Sequence, residues 1–127
     1  AGEIEYHGFV SGEEKNRLLR ECDLFCFPTY YANENQPVNL IEAMAFGLPI
    51  LTSDLDFAQY VCGDAAVYFD PWNAADIAEK IVMLKESELC RKRLVQRGRE
   101  RIAVFFKSWE QIVSEMLNAV ECLVQSS

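Results

Sequence analysis

The sequence predicts an α/β domain built on a parallel sheet with helical crossovers. Short apolar runs of strand length alternate with longer amphipathic stretches along the chain. One such run, "DLFCFP" (residues 23–28), is apolar almost throughout, as in strands buried on both faces. The 127 residues, half of them hydrophobic, make one domain and suffice for a core that buries about two thirds of the unfolded surface.

Each element has its own signal. Residues 4–10 (IEYHGFV) read as the first strand. Ser11 then opens a helix, and Glu14 completes a capping box three residues later. Leu18, Leu19 and Cys22 give that helix its apolar face. Residues 23–28 form the second strand, ended by Pro28. The polar loop "TYYANENQ" leads into "PVNLIEAMAFG", a helix with Pro37 near its first position and Gly47 at its end. "LPILTSD" is the third strand, residues 57–61 a short helix and "AVYFD" the fourth strand. Asn73 starts a long helical region that breaks near Ser87 and Ser108 into three helices, the last over residues 108–123. Four strands with helical connections make half of a Rossmann-like sheet. In such sheets ligands bind beyond the carboxyl ends of the strands, where the loop after Pro28 lies.

Composition narrows the function. A net charge of −8 argues against a nucleic-acid binder, which needs a cationic face. The basic stretch Arg91, Lys92, Arg93, Arg97, Arg99 and Arg101 reads as a solvated helix face, or else as a peripheral contact with an anionic membrane surface. Five cysteines in no CxxC pair, with a single histidine, suit neither a disulfide framework nor zinc. Buried free thiols in a reducing cytosol are the expectation, and no metal site is expected. Without a signal peptide or a spanning run, the expected location is cytoplasmic, with any membrane contact peripheral at the inner face.

The chemistry points to residues 29–42. The first turn of the helix at Pro37 offers free amides near Val38, Asn39 and Leu40, and the positive end of a dipole. Such a terminus holds a phosphate or diphosphate. Glu34 precedes the helix and Glu42 lies within it, with seven residues between them. A carboxylate suits a vicinal diol. Glu42 could grip ribose hydroxyls while Glu34 faces a hexose. The plainer alternative is a solvated Glu34 and a Glu42 paired with a surface cation. His7 reads as structural or exposed. Asp54 and Asp56 suit a turn better than a metal pair. Tyr30 and Tyr31 fit stacking on a ligand or packing of the loop, and Phe106 and Trp109 fit core aromatics of the last helix.

The stretch "PTYYANENQPVNLIEAMAFGLPILTSD" strongly resembles the donor-site signature of the family-four GT-B retaining glycosyltransferases. Their hallmark of Glu, seven residues, Glu, Ala-Met and Gly-x-Pro is matched by Glu34, Glu42, Ala43, Met44, Gly47 and Pro49. The segments "IEYHGFVSGEEKNRLLRECDLFCFP", "VCGDAAVYFDPWNAADIAEKI" and "FFKSWEQI" are similar to the family's flanking elements, so the resemblance spans nearly the whole chain. It implies that residues 1–127 are part of the C-terminal, nucleotide-sugar-binding half of a GT-B fold. Glu42 would bind the ribose and Glu34 would be the catalytic residue beside the transferred sugar. Asn35, Gln36, Pro37, Val38, Asn39 and Leu40 would line the donor, mostly through their backbone, and Gly8 would approach it through its backbone. Family members often carry glycine where this chain has Asn35 and Pro37. The resemblance implies a nucleotide-diphosphate sugar as substrate and no cofactor. It also implies an N-terminal acceptor domain as partner, without which the chain would be inactive, and an exposed edge or apolar surface inviting a homodimer. The competing classes are a GT-B sugar-nucleotide epimerase and a non-catalytic nucleotide-sugar-binding or interaction module.

Overall fold

The computed structural model describes residues 4–31 and 38–125, with the side chains of residues 106–109 outside that description. The elements run α1 (Gly12–Glu21), β1 (Phe25–Phe27), α2 (Val38–Ala45), β2 (Ile50–Ser53), α3 (Asp56–Cys62), a 3₁₀ turn (Gly63–Ala65), β3 (Ala66–Phe69), α4 (Ala74–Glu86) and α5 (Glu88–Gln125). The three strands form a parallel sheet in the order β1-β2-β3, with Phe25 opposite Ile50 and Ile50 opposite Ala66. The predicted fold class holds.

Side chains alternate across this sheet with the period of two that strands impose. Ile50 and Ala66 join a core with Leu19, Leu40, Ala43, Met44, Ala58, Val61 and Cys62, so α1, α2 and α3 cover that face. Leu51 and Phe69 point the other way, onto Leu84 of α4 and Leu94 of α5. Helix α5 serves both faces, since its Ile102 packs against the first core. Gly98 makes the passage possible: a Cβ there would stand 3.2 Å from Cγ of Met44.

The helix ends follow local chemistry in part. Asn73 caps α4, its side chain accepting from the Asp76 amide at 3.1 Å. Helix α2 ends in a Schellman motif: the Leu48 amide donates to the Ala43 carbonyl, the Gly47 amide to the Met44 carbonyl, and Gly47 has φ +73. Two other ends are closed by arginines of α5. Arg91 donates to the Leu84 and Lys85 carbonyls at 2.6 Å, and Arg101 to the Val61 and Tyr60 carbonyls at 2.7 Å. Arg97 reaches the Asp64 carbonyl at 3.3 Å. Arg91 and Arg101 thus meet orphan carbonyls at the negative ends of α4 and α3, and Arg97 the 3₁₀ turn that follows α3. The basic stretch is therefore not simply a solvated face, because half of its residues fasten α5 to the rest of the fold.

Four expectations need correction. Residues 4–10 form no strand, and Ile4, Tyr6 and Phe9 are exposed at 90%, 94% and 93%. A strand needs a partner for its amides and carbonyls, and among the described residues this segment is not laid against either edge of the sheet, β1 or β3. Ser11 is the N-cap of α1 but its side chain makes no capping bond, so the capping box with Glu14 is not formed. Ser87 does separate α4 from α5, but no break occurs at Ser108, and α5 is continuous over 38 residues. A lone serine costs a helix only about 0.5 kcal/mol, too little to end it. Finally, the thiols are unpaired but Cys22, Cys26 and Cys122 are exposed, leaving Cys62 as the fully buried one. Cys26 points outward because it alternates with Phe25 and Phe27 on an edge strand.

Candidate functional site

The crossover from β1 through α2 to β2 places the amino end of α2 at the carboxyl end of the sheet, because both strands run the same way. Val38, Asn39 and Leu40 form the first turn of α2, which contains no acidic residue. The positive end of its dipole is thus not offset by a carboxylate of its own first turn. Leu40 is fully buried and anchors the turn, while Val38 and Asn39 are exposed. Glu34, Asn35, Gln36 and Pro37 lie outside the described residues, so the shared cleft of Glu34 and Glu42 is not described.

Glu42 is the fifth residue of α2. A helical side chain leans toward the amino end of its helix, which carries this carboxylate back over the first turn. It is not unpartnered: Nζ of Lys15, on α1, stands 2.8 Å from its Oε2 and 3.1 Å from its Oε1. Both side chains are about one-third exposed or less, at 34% for Lys15 and 26% for Glu42. The surface-cation alternative for Glu42 is thereby realised, and Lys15 is a residue at this site that sequence spacing did not reveal.

The start of the loop is fixed from below. The Ser53 hydroxyl, fully buried at the end of β2, bonds the Thr29 carbonyl at 2.7 Å and lies 3.3 Å from the Phe27 carbonyl. The Thr29 hydroxyl in turn accepts from the Tyr31 amide at 3.1 Å. Tyr30 stacks on Trp72, which follows β3, with ring centroids 4.3 Å apart and both rings exposed. Of the two open alternatives for Tyr30, packing between loops is the one seen. The polar signal for Ser53 was present in the sequence, as a hydroxyl ending an apolar run.

The remaining sequence candidates have their own surroundings. Gly8 adopts φ +64 in an exposed segment, and a Cβ there would meet only the edge of Tyr6, at 4.0 Å. His7 is exposed beside Glu5, 3.3 Å away. Asp54 accepts from the Gln59 side chain and its amide donates to Phe69, a turn arrangement. The side chains of Phe106 and Trp109 are outside the described residues. Among the described residues, no group of three or more His, Cys, Asp and Glu is placed to hold a metal, and no helix is long and apolar enough to cross a membrane. A groove of about 1150 Å³ lies at the opposite end of the strands, lined by Asp23, Leu24, Pro49, Arg91 and Arg99 among others.

With the geometry in place, the chain can be set beside known proteins. Residues 1–101 match the family described as glycosyl transferases group 1. The chain is 29% identical over 125 residues to a phosphatidyl-myo-inositol mannosyltransferase of Mycobacterium leprae, covering 97% of this chain and 33% of that one. It is 29% identical over 122 residues to O-antigen chain mannosyltransferase B of Escherichia coli, covering 96% of this chain and 31% of that one. Among solved structures, sucrose-phosphate synthase from Thermosynechococcus elongatus superposes with a TM-score of 0.66 at 27% identity, over 84% of this chain and 26% of that one. The chain spans about a third of the length of these curated relatives.

Proposed function

Because the chain belongs to the glycosyl transferases of group 1, we propose that it is the donor-binding part of a retaining glycosyltransferase. In this reading it takes a sugar from a nucleotide diphosphate and passes it to a glycan or a lipid-linked acceptor. The observation that carries the reading is the amino end of α2: an eight-residue helix opening at the carboxyl end of the sheet, free of first-turn acid, with the Glu42 carboxylate beside it. The diphosphate would sit on the amides of Val38, Asn39 and Leu40, with Asn35 and Gln36 contributing before them. Glu42 would accept the ribose hydroxyls.

Glu34 would face the hexose. There it would orient the donor and stabilise the positive charge that builds on the sugar, while the leaving diphosphate takes the acceptor proton. Catalysis further requires an acceptor held in line with the donor, which is the role assigned to an acceptor domain. The two mannosyltransferase relatives are named for phosphatidyl-myo-inositol and for an O-antigen chain, which supports an acceptor of the lipid or polysaccharide class. Within the basic stretch of α5, the exposed Lys92, Arg93 and Arg99 would supply a peripheral membrane contact of the kind such an acceptor would require.

Product analysis with the intact protein tests the class. Transfer of a labelled sugar to an acceptor with retained configuration supports it, and release of an epimerised free sugar overturns it. Glu34→Gln tests the catalytic assignment: kcat should fall by more than donor affinity, and equal losses in both would contradict the role.

A further inference from the structure

The Glu42 carboxylate is shared between two elements far apart in sequence. Lys15 reaches it from α1, and its ammonium bridges both oxygens, at 2.8 Å and 3.1 Å. An ionised carboxylate has about four lone-pair sites, two on each oxygen. Lys15 occupies one on each and leaves one on each, which equals the number of hydroxyl donors in a vicinal diol. Glu42 is also the one acid on a helix that otherwise consists of Val, Asn, Leu, Ile, Ala and Met. Nothing on its own helix can fix its rotamer by an ion pair at i±3 or i±4.

We propose that Lys15 is a positioning residue of the donor site: it holds the Glu42 carboxylate in the orientation that receives the two ribose hydroxyls of a nucleoside diphosphate. The inference rests on the reading of Glu42 given above. Lys15 acts through Glu42 and does not touch the nucleotide. The partial burial of both side chains keeps the pair from being fully screened by solvent. Pre-ordering of this kind lowers the rotamer cost that binding would otherwise carry.

The test is calorimetric titration of the intact protein with UDP and GDP, each compared with its 2′,3′-dideoxy analogue, which offers no diol. Lys15→Met should weaken binding of the nucleotide that the protein prefers by about tenfold, equivalent to 1.4 kcal/mol, and should leave binding of the dideoxy analogue unchanged. Lys15→Arg, which can also bridge two carboxylate oxygens, should restore most of the affinity. An equal penalty on both nucleotides, or no penalty on either, would overturn the proposal, since a lysine that merely ties α1 to α2 cannot sense the hydroxyls. Should Lys15→Met fail to fold, Lys15→Gln and Lys15→Arg carry the same comparison. Glu42→Ala separates the two readings. If it binds UDP and GDP as tightly as the unaltered protein, the ribose assignment itself fails. If it loses affinity while Lys15→Met does not, only the role of Lys15 fails.

Discussion

The buried hydroxyl of Ser53 lies 2.7 Å from the Thr29 carbonyl and so ties the end of β2 to the first residues of the donor loop. This bond crosses from one strand's end to the next and sets where the chain leaves the sheet toward α2. Ser53→Ala should cost about 1 kcal/mol of stability, the ordinary net worth of one such hydrogen bond. It should also raise the donor KM, because the loop then starts from a less fixed point. Chemical denaturation and steady-state kinetics check the two parts, and an unchanged KM would confine Ser53 to stability.

Gly63 is required by its surroundings. Its φ of +51 is disfavoured for other residues, and a Cβ there would lie 2.5 Å from Nη1 of Arg101. Gly63→Ala should therefore destabilise the fold by about 1–3 kcal/mol. Part of that loss comes from displacing Arg101 from the Val61 and Tyr60 carbonyls. Arg101→Met should lower the thermal midpoint for the same reason. Additivity of the two changes in the double variant would show that the contact is not shared.

The five thiols should separate by reactivity. Cys22, Cys26 and Cys122 are exposed, Cys90 is half-buried and Cys62 is buried. A thiol reagent should modify Cys22 and Cys122 quickly, Cys26 and Cys90 more slowly, since burial raises the Cys26 thiol above its ordinary range, and Cys62 only on unfolding. Burial pushes the Cys62 thiol up to about 12 from 9.0, with Arg101 pulling the other way. The unfolded chain loses that proton first. Stability is then full below about pH 9 and declines as pH rises toward about 12. Burial also raises Tyr68, whose hydroxyl donates to the Gly63 carbonyl at 2.6 Å. Urea titrations at about pH 8 and about pH 10 should show the decline, and Cys62→Ala should flatten it without abolishing it. A curve unaffected by Cys62→Ala would assign the slope to other groups.

Much of the fold was legible because its signals are local. Proline and glycine punctuate β1 and α2, Asn73 caps α4, and short apolar runs mark β2 and β3. What escaped depends on partners distant in sequence. Residues 4–10 have a strand's composition but pair with no strand among the described residues, and composition carries no information about pairing. Ser108 looked like a break because serine favours caps, yet it lies in the continuous helix α5. The arginines of α5 looked like a solvated face because their acceptors are carbonyls of α3, α4 and the 3₁₀ turn, which no spacing rule reaches. At the site, Glu42 was found by its motif, while Lys15, 27 residues away, was not. Glu34, Asn35, Gln36 and Pro37 remain proposals on the motif alone.

The central claim is that a nucleoside diphosphate rests on the opening turn of α2. Titration of the ¹⁵N-labelled intact protein with UDP and GDP, followed by amide chemical shifts, addresses it residue by residue. The largest shifts are expected at Val38, Asn39 and Leu40, smaller ones around Glu42 and Lys15, and none along α4. Shifts gathered instead around the groove near Pro49, Arg91 and Arg99, with α2 silent, would contradict it.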